Sequence, residues 1–224
     1  MSRAYTDIAF TPAVRAVQTR MGSRAQYEGF DHTPERWDSL GEREVAFIEA
    51  RDGFYQASVS ETGWPYVQFR GGRAGFLKVL DDKTLGYADF RGNVQYISVG
   101  NLGQDNRVAL ILMDYANQAR LKLLGRVRLV DAKDDPALLE RLRVAGYRAK
   151  LERAVLIAID GFDWNCPQHI TPRFTEAEIE VATAPLRQRL QQAEQALARR
   201  PDAAPAPVQT VGEGPLALVV AGMR

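Results

Sequence analysis

Cysteine and long apolar runs are scarce in this sequence. The single cysteine, Cys166, excludes a disulfide within the chain and is typical of a reducing compartment. The longest apolar stretch near the C-terminus, Leu216 to Ala221, is far too short to span a bilayer. The first residues carry a charge and no apolar run follows them, which is unlike a signal peptide. These absences predict a cytoplasmic protein.

Neither sign of charge is in excess. The 29 basic and 28 acidic residues leave a net charge of +1, so no global field attracts nucleic acid or an anionic membrane. We therefore expect neither as a partner, although a local anion site remains compatible with this balance. The 46% of hydrophobic residues is typical of a globular chain, and 224 residues suffice for one well-buried domain with accessory helices.

Several motifs of enzyme chemistry are also missing. The sequence has no phosphate-binding P-loop, no G-x-G-x-x-G opening a helix and no G-x-S-x-G, so hydrolase chemistry is not supported. The two histidines, His32 and His169, lie far apart in the chain. Cys166 and His169 alone are too small a ligand set for a metal, and we predict no metal site.

The chain divides into four segments of different character. Residues 1–38 form an N-terminal extension without a regular pattern, and residues 39–174 form a strand-rich domain. A C-terminal helix is predicted over residues 175–200, followed by a flexible tail or linker rich in proline, alanine and glycine over residues 201–224.

Within residues 39–174 the pattern has the spacing of short strands joined by hairpins. A helix opens this segment, with capping-box spacing at Ser39–Glu42. Val108–Met113 is almost continuously apolar, as expected of a strand buried on both faces. The series predicts a closed or nearly closed antiparallel barrel. The predicted strands are Phe54–Ser60, Pro65–Arg70, Phe76–Leu80, Thr84–Ala88, Val108–Met113, Arg120–Val130 and Val155–Ile159.

Helices are predicted between the strands and after them. Val94–Leu102 and Pro136–Tyr147 interrupt the strand series. Thr175–Glu178 is a second capping box, and the helix after it carries one narrow apolar stripe. A partner helix or a flank of the barrel would cover that stripe, whose members are Leu186, Leu190, Ala193 and Leu197.

Two segments hold the candidate binding chemistry. Gln68–Lys78 combines paired glycines with Arg70, Arg73 and Lys78, which suits either a bound anion such as phosphate or a tight hairpin with a solvated basic tip. Asp89–Leu102 runs from a strand end into a helix rich in hydrogen-bonding groups. Its free N–H groups would attract an anion, although a well-capped connecting helix explains the pattern equally well.

These motifs, taken in order, resemble the pyridoxamine 5'-phosphate-oxidase-like group of FMN-binding split barrels. The resemblance covers about residues 40–174 and includes the early helix before the first hairpin. The segments that carry it are Gln68–Gly72, Tyr87–Asp89, Gly92–Asn93 with Ser98 and Asn101–Leu102, Asn106–Leu110, Arg120 five residues before Gly125, Phe162–Ile170 and Pro172–Arg173.

The resemblance implies a mainly β fold, an antiparallel six-stranded split β-barrel with flanking helices and a C-terminal helix. It also implies a homodimer with FMN at the subunit interface. The strand on the phosphate side falls on Val67–Arg70, with Arg70 as the basic ligand, and the strand end beside the ring falls on Tyr87 and Ala88. The remaining implied cofactor residues are Gln68, Phe69, Asn93, Gln95, Tyr96, Ser98, Arg120, Trp164 and Arg173.

One departure from the family pattern limits the functional expectation. The family's Ser-Arg-Lys phosphate motif falls on Tyr96, Ile97 and Ser98, so both basic residues are missing. True pyridoxamine phosphate oxidation is therefore not expected, because the substrate phosphate also needs a cationic clamp. FMN binding stays compatible, because Arg70, Arg91 and the helix N-terminus remain.

The expected function is an FMN-dependent oxidoreductase that exchanges electrons with a nicotinamide, a small substrate or an electron-transfer protein. No side chain is an obvious acid or base, and flavin chemistry needs none. The alternatives are a non-catalytic protein that stores or senses flavin and a haem-binding split barrel. A haem protein needs an axial ligand, for which His169 is the only candidate in the barrel segment.

Overall fold

The computed structural model describes residues 3–33 and 38–199 of the chain. The flexible tail or linker predicted over residues 201–224 lies outside the described residues. The strands are β1 (Gly53–Val59), β2 (Pro65–Gly71), β3 (Lys78–Asp81), β4 (Thr84–Phe90), β5 (Arg107–Asp114), β6 (Ala119–Asp131) and β7 (Leu151–Trp164). The helices are α1 (Arg3–Ala9), α2 (Pro12–Arg20), α3 (Arg24–Asp31), α4 (Glu42–Glu49), α5 (Ile97–Gln104), α6 (Pro136–Leu142) and α7 (Glu176–Ala198).

All the strands join one antiparallel sheet in the order β2-β1-β5-β6-β7-β4-β3. The sheet has seven strands in the described residues, so the expectation of six was wrong. The number six came from the family resemblance, whereas the strand pattern predicted seven segments, including Phe76–Leu80 near β3. The shortest strand is β3, an edge strand of four residues that pairs with β4. A strand this short adds little hydrogen bonding and leaves a short exposed edge.

The sheet curls until its two ends meet through side chains. Phe54 on β1 and Tyr87 on β4 pack edge to face with ring centroids 5.5 Å apart, although three strands separate β1 from β4 in the sheet. Arg70 on the edge strand β2 forms an ion pair of 2.9 Å with Asp89 on β4. Side chains, rather than a continuous ladder, therefore close the barrel, which confirms the expected split β-barrel.

Two apolar clusters stabilise the barrel. The inner cluster fills the barrel with inward side chains of β1, β4, β5, β6 and β7. The second lies outside the sheet, where Leu138, Leu139 and Leu142 of α6 cover β4 and β7. Burying each such side chain contributes about 1.5–3 kcal/mol. At the far end of β7, α1 packs so closely that a Cβ on Gly161 would lie 2.8 Å from the Tyr5 backbone nitrogen.

The outer face of β2, β1 and β5 carries apolar side chains that remain exposed. Val67 is 60% exposed, Phe69 58%, Tyr55 40% and Ile111 40%. The prediction that Val108–Met113 is buried on both faces was therefore wrong, because buried and more exposed residues alternate along β5. A continuous apolar run is also produced by a strand with one face in the core and one apolar outer face.

Two helices begin later than the sequence predicted. The Leu40 N–H donates to the Asp82 carbonyl at 2.7 Å, which holds the chain in front of α4. The N-cap is consequently Gly41, whose N–H donates to Glu44 at 3.1 Å, and the Ser39–Glu42 box is not formed. Helix α5 begins at Ile97 rather than at Val94, because Val94 adopts a left-handed backbone conformation.

The ends of the chain carry further helices. Residues to Arg173 form one compact unit that includes α1, α2 and α3, and α7 belongs to a second unit. The predicted Thr175–Glu178 capping box is confirmed, with Thr175 Oγ1 accepting from the Glu178 N–H at 3.2 Å. None of the helices in the described ranges combines the length and the apolar composition needed to cross a membrane.

Candidate functional site

A cavity of about 260 Å³ lies where β2, the end of β4 and the start of α5 meet. The alternation of β2 turns Gln68 and Arg70 to the barrel side, while Val67 and Phe69 point outwards. The segment between β4 and α5 closes the other wall. The cavity brings together six of the predicted cofactor residues: Gln68, Arg70, Asn93, Gln95, Tyr96 and Ser98.

The segment leading into α5 has an unusual backbone. Val94 and Tyr96 have φ angles of 57° and 54°, which L-residues with large side chains rarely adopt. The Asn93 carboxamide bridges this turn, accepting from the Gln95 N–H at 3.3 Å. No side chain caps α5, and its ladder starts with the Gly100 N–H donating to the Tyr96 carbonyl. The N–H groups of the first turn therefore precede the helix ladder, and the residues that carry them, Ile97, Ser98 and Val99, line the cavity.

Hydrogen bonds between side chains fix α5 against the barrel. Ser98 Oγ, on a residue only 2% exposed, donates to Gln68 Oε1 at 2.8 Å. Asn101 Nδ2 donates to Ser58 Oγ at 3.2 Å. The neutral groups on this wall are thus tied to one another, and positive charge must come from elsewhere in the cavity.

The charged wall is centred on Asp89, which is held between two arginine side chains. Asp89 is 5% exposed and accepts from Arg70 Nη1 at 2.9 Å and from Arg153 Nη1 at 2.7 Å. Arg153 Nη2 also lies 3.4 Å from Glu152 Oε2, so the two guanidinium groups are balanced by two carboxylates. The one positive charge in excess comes from Arg91, whose Nε lies 3.8 Å from Glu152 Oε1. Arg70 Nε is buried and has no hydrogen-bond partner within the described residues. A buried donor without an acceptor is costly, and an anionic ligand would relieve this cost.

Glu152 and Arg91 stand beside this cluster. Tyr96 Oη donates to Glu152 Oε1 at 3.1 Å, and Arg91 Nε lies 3.8 Å from the same oxygen. The guanidinium carbon of Arg153 is 5.3 Å from the centroid of the Tyr96 ring. Tyr96 is thereby held in its strained conformation by two partners.

A second cavity, of about 250 Å³, adjoins the first and shares Arg70, Asp89, Phe90 and Gly92 with it. Five of its twelve lining residues are aromatic, and two of these, Phe90 and Tyr147, pack edge to face at 4.8 Å. Three more predicted residues line it: Phe69, Tyr87 and Ala88.

Tyr87 forms the inner wall of this second cavity. The residue is 1% exposed, and burial raises the pKa of its hydroxyl well above the ordinary value of about 10. The neutral hydroxyl donates to Gln56 Oε1 at 2.7 Å. Tyr87 is therefore a fixed uncharged surface rather than an acid–base group.

Four predicted residues line neither cavity: Val67, Arg120, Trp164 and Arg173. Trp164 was expected beyond the last strand, but it is the final residue of β7. Its indole Nε1 donates to Glu44 Oε1 at 2.6 Å, and the Arg43 guanidinium lies 4.1 Å from its ring centroid. Helix α4 therefore covers Trp164 within this chain.

Arg120 and Arg173 lie towards the exposed outer face. Arg120 pairs with Met113 on the side of the sheet that also carries Ile111, and its Nη2 donates to the Cys166 carbonyl at 3.2 Å. The Arg173 guanidinium is 4.8 Å from the Tyr115 ring centroid. A hydrogen bond with Tyr55 raises the pKa of the Tyr115 hydroxyl, which connects Arg173 to the same apolar face.

The residues considered for metal or haem ligation lie outside both cavities. His169 and Cys166 are exposed on the loop after β7. Within the described residues no three side chains of histidine, cysteine, aspartate or glutamate are grouped to hold a metal ion. His169 therefore does not present an axial ligand to either cavity.

The sequence interpretation missed two charged residues of the site, Asp89 and Arg153. Asp89 was part of the family motif but was not assigned a binding role. Arg153 is opposite Asp89 in the β4–β7 register. The sequence does show opposite charges at Asp89 and Arg153, each on a predicted or neighbouring strand segment. That they face each other can be recognised only once the pairing of β4 with β7 is known.

The family model described as pyridoxamine 5'-phosphate oxidase matches residues 40–165, more than half of the chain. No curated protein matches the chain.

Three solved structures are similar to part of this chain at low identity. HupZ of Group A Streptococcus is 13% identical with a TM-score of 0.43, and the match covers 60% of this chain and 99% of that chain. General Stress Protein 26 from Bacillus anthracis is 14% identical with a TM-score of 0.42, covering 58% and 92%. An FMN-binding protein from Syntrophomonas wolfei is 13% identical with a TM-score of 0.41, covering 69% and 95%. Similarity at this level does not identify a ligand or a reaction.

Proposed function

The chain belongs to the pyridoxamine 5'-phosphate oxidase family, and from that premise we propose that it is an FMN-dependent oxidoreductase. The observation that carries the proposal is the pair of adjoining cavities that share Arg70. One offers hydrogen-bond donors and positive charge, and the other offers aromatic walls. A phosphate joined to a flat ring has this same division of chemistry.

The phosphate is assigned to the cavity at the start of α5. N–H groups at a helix N-terminus and the helix dipole both favour an anion. Arg70 adds a guanidinium whose Nε lacks an acceptor. Each charge-assisted bond of this kind contributes about 1.5–3 kcal/mol. These donors replace the arginine and lysine that the family's phosphate motif would place at Tyr96–Ser98.

The ring is assigned to the second cavity. Phe69 and Tyr87 lie on strands from opposite ends of the sheet, so the cavity opens at the split of the barrel. Binding pockets for ligands of this size usually measure about 300–1,000 Å³. Each cavity alone is smaller, at about 260 and 250 Å³, so the cofactor needs both.

A second copy of the chain is proposed to complete the site. The exposed apolar face of β2, β1 and β5 suits a symmetric interface with the same face of another copy. Arg120 and Arg173 lie beside that face and not in their own chain's cavities. In a homodimer they would approach the partner's cofactor, which explains why one protomer does not bring all the predicted residues together.

When bound, the flavin supplies the electron and hydride transfer. The residues of this chain would position the flavin and set the electrostatic environment around it. Three titratable side chains of the cavities are already engaged, since Tyr87 stays neutral, Asp89 is held by two arginines and Glu152 accepts from Tyr96. Pyridoxamine phosphate itself is not the proposed substrate, because the one cation besides Arg70 among the described lining residues is Arg91, which already faces the Glu152 carboxylate at 3.8 Å.

Absorption spectra of the purified protein and an FMN titration test the proposal. We expect the two visible bands of a flavin and quenched FMN fluorescence. Bleaching by NADH or NADPH under anaerobic conditions would support the oxidoreductase role. Bound FMN that neither nucleotide nor an anaerobic panel of other donors reduces would favour a storage or sensing protein. Protein that stays colourless and leaves FMN fluorescence unchanged, or that shows a Soret band with haem, would contradict the proposal.

A further inference from the structure

Helix α7 (Glu176–Ala198) exposes apolar side chains along much of its length. Ile179 is 48% exposed, Leu186 62%, Leu190 60% and Leu197 64%. Isolated exposed leucines are common on protein surfaces, but a row of them on one helix indicates a contact surface. The spacing of this row identifies the kind of contact.

The row has the spacing of a heptad repeat. When Thr183 and Ala193 are included, successive members lie alternately four and three residues apart, which gives a mean period of 3.5. Thr183, Leu190 and Leu197 take position a. Ile179, Leu186 and Ala193 take position d. A helix that packs on a globular core usually presents a wider stripe, with further apolar residues at e or g. Here positions e and g hold mainly charged residues or alanine.

Thr183 and Pro185, two residues that are uncommon in coiled-coil helices, are both accommodated. Thr183 Oγ1 donates to the Ile179 carbonyl at 2.8 Å within the helix. Its hydroxyl is therefore satisfied, and its methyl group can be buried at position a without a missing hydrogen bond. Pro185 falls at position c, on the side away from the seam, and the helix continues through it.

The charges beside the seam select an orientation. In a parallel pair, position g of one helix lies opposite position e of the second helix, and that position e is five residues further along the sequence. Arg189 would then meet Glu194 of the second copy, twice by symmetry. A centred antiparallel pair would instead place Arg187 against Arg187 and Glu180 against Glu194. Arg189 and Glu194 are exposed, and neither makes an ion pair within the described part of the chain.

We propose that α7 binds α7 of a second copy of this chain as a parallel, in-register two-stranded coiled coil. The seam consists of the six residues at positions a and d. This inference does not depend on flavin binding or on the face of the barrel that forms an interface.

Disulfide trapping in the full-length protein tests the proposal. Replacing the only cysteine by Cys166→Ser gives a clean background. Ile179→Cys and Leu190→Cys are then introduced one at a time, with Gln188→Cys as a control at the outward position f. We expect oxidation to convert the two seam variants, and not the control, to a species of twice the mass on a non-reducing gel.

The pattern of trapping shows whether α7 binds a second copy and in which orientation. Trapping at 190 without trapping at 179 would indicate an antiparallel pair, and equal trapping at 188 would indicate random collision. No trapping at either seam position would indicate that α7 binds its own chain or none. Each of these results overturns the proposal, and none of them bears on FMN binding.

A charge exchange tests the orientation independently. In the Leu190→Cys background, Glu194→Arg should lower the yield of trapped dimer, and adding Arg189→Glu should restore it. Gln191→Arg serves as a control for added charge and should leave the yield unchanged. If the double exchange does not restore the yield, the pairing of Arg189 with Glu194 is wrong.

Discussion

Arg70 and Asp89 lie 19 residues apart in the chain and meet across the split of the barrel at 2.9 Å. Arg70 is on the edge strand β2 and Asp89 is on β4, next to the opposite edge. Arg153 holds the second carboxylate oxygen. The ion pair thus has two roles, because it closes the barrel and positions the guanidinium of Arg70 at both cavities.

Arg70→Ala is expected to weaken FMN binding. It removes the cation that lines both cavities, and the loss of one charge-assisted bond corresponds to about 1.5–3 kcal/mol, or roughly 10- to 150-fold in Kd. Fluorescence quenching titrations measure the change. Arg126→Ala is the matched control, because its guanidinium pairs with Asp160 on the surface. An unchanged Kd for Arg70→Ala would remove Arg70 from the site.

Asp89→Asn is expected to destabilise the fold. Removing one member of a buried ionic cluster typically costs about 3–5 kcal/mol, because the remaining charges lose their compensation. Urea unfolding at neutral pH measures the change in the free energy of unfolding. The surface variant Asp160→Asn should lose no more than about 1 kcal/mol. Equal losses in the two variants would mean that Asp89 does not connect β2 and β4 in solution.

Asp114 is expected to make stability depend on pH. Burial alone would raise the pKa of this carboxyl, but hydrogen bonds from Asn117 and the Arg51 guanidinium outweigh burial and lower the pKa below its usual value. Because the pKa is lower in the folded state, the stabilisation is present above about pH 4, the unfolded value. It is lost as the pH falls through the lower folded value.

The measurement for Asp114 compares urea unfolding of the native chain and of Asp114→Asn. At pH 7 the variant should be less stable by about 1.5–3 kcal/mol, the value of hydrogen bonds to a charged group. The difference should shrink on acidification below about pH 4. Asp134→Asn is an exposed control. A difference that stays constant down to pH 2 would contradict the assigned pKa direction.

Val94→Asn is expected to stabilise the protein. A β-branched residue with φ of 57° is strained, and asparagine tolerates this conformation at lower cost. The relief should be about 1 kcal/mol in the free energy of unfolding. Val94→Ala, which keeps a Cβ but loses the branch, should fall between the two. If valine gives the most stable protein of the series, the strained turn before α5 is not formed as described.

Val67→Asp is expected to disrupt the proposed homodimer. Val67 is 60% exposed on the outer face and lines neither cavity, so a charge there opposes burial against a second copy without altering the pocket. Light scattering coupled to gel filtration measures the mass, with and without Val67→Asp, in a chain that also carries Leu190→Asp to remove the proposed α7 pairing. Val14→Asp on α2 is the control for an added surface charge. If Val67→Asp leaves the measured mass at that of a dimer, the interface lies on another surface of the protein.

The strands and four of the seven helices in the described residues follow from local patterns in the sequence, whereas α1, α2 and α3 lie in a segment where no regular pattern was predicted. Alternation along β1 and β2 and the capping box at Thr175 depend on neighbouring residues, and the structure confirms them. The family resemblance is confirmed as well, because its motifs are short and ordered along the chain. Errors arose where a distant contact changed a local preference, as when the Asp82 carbonyl held Leu40 and shifted the start of α4.

The sequence by itself determined that this chain forms a barrel of short antiparallel strands, with candidate anion ligands on β2 and before α5. Only the tertiary structure decided which of them meet. Barrel closure placed Asp89 between Arg70 and Arg153, while α4 covered Trp164. Such contacts depend on strand order and register, which are set by the packing of the whole core rather than by any local pattern.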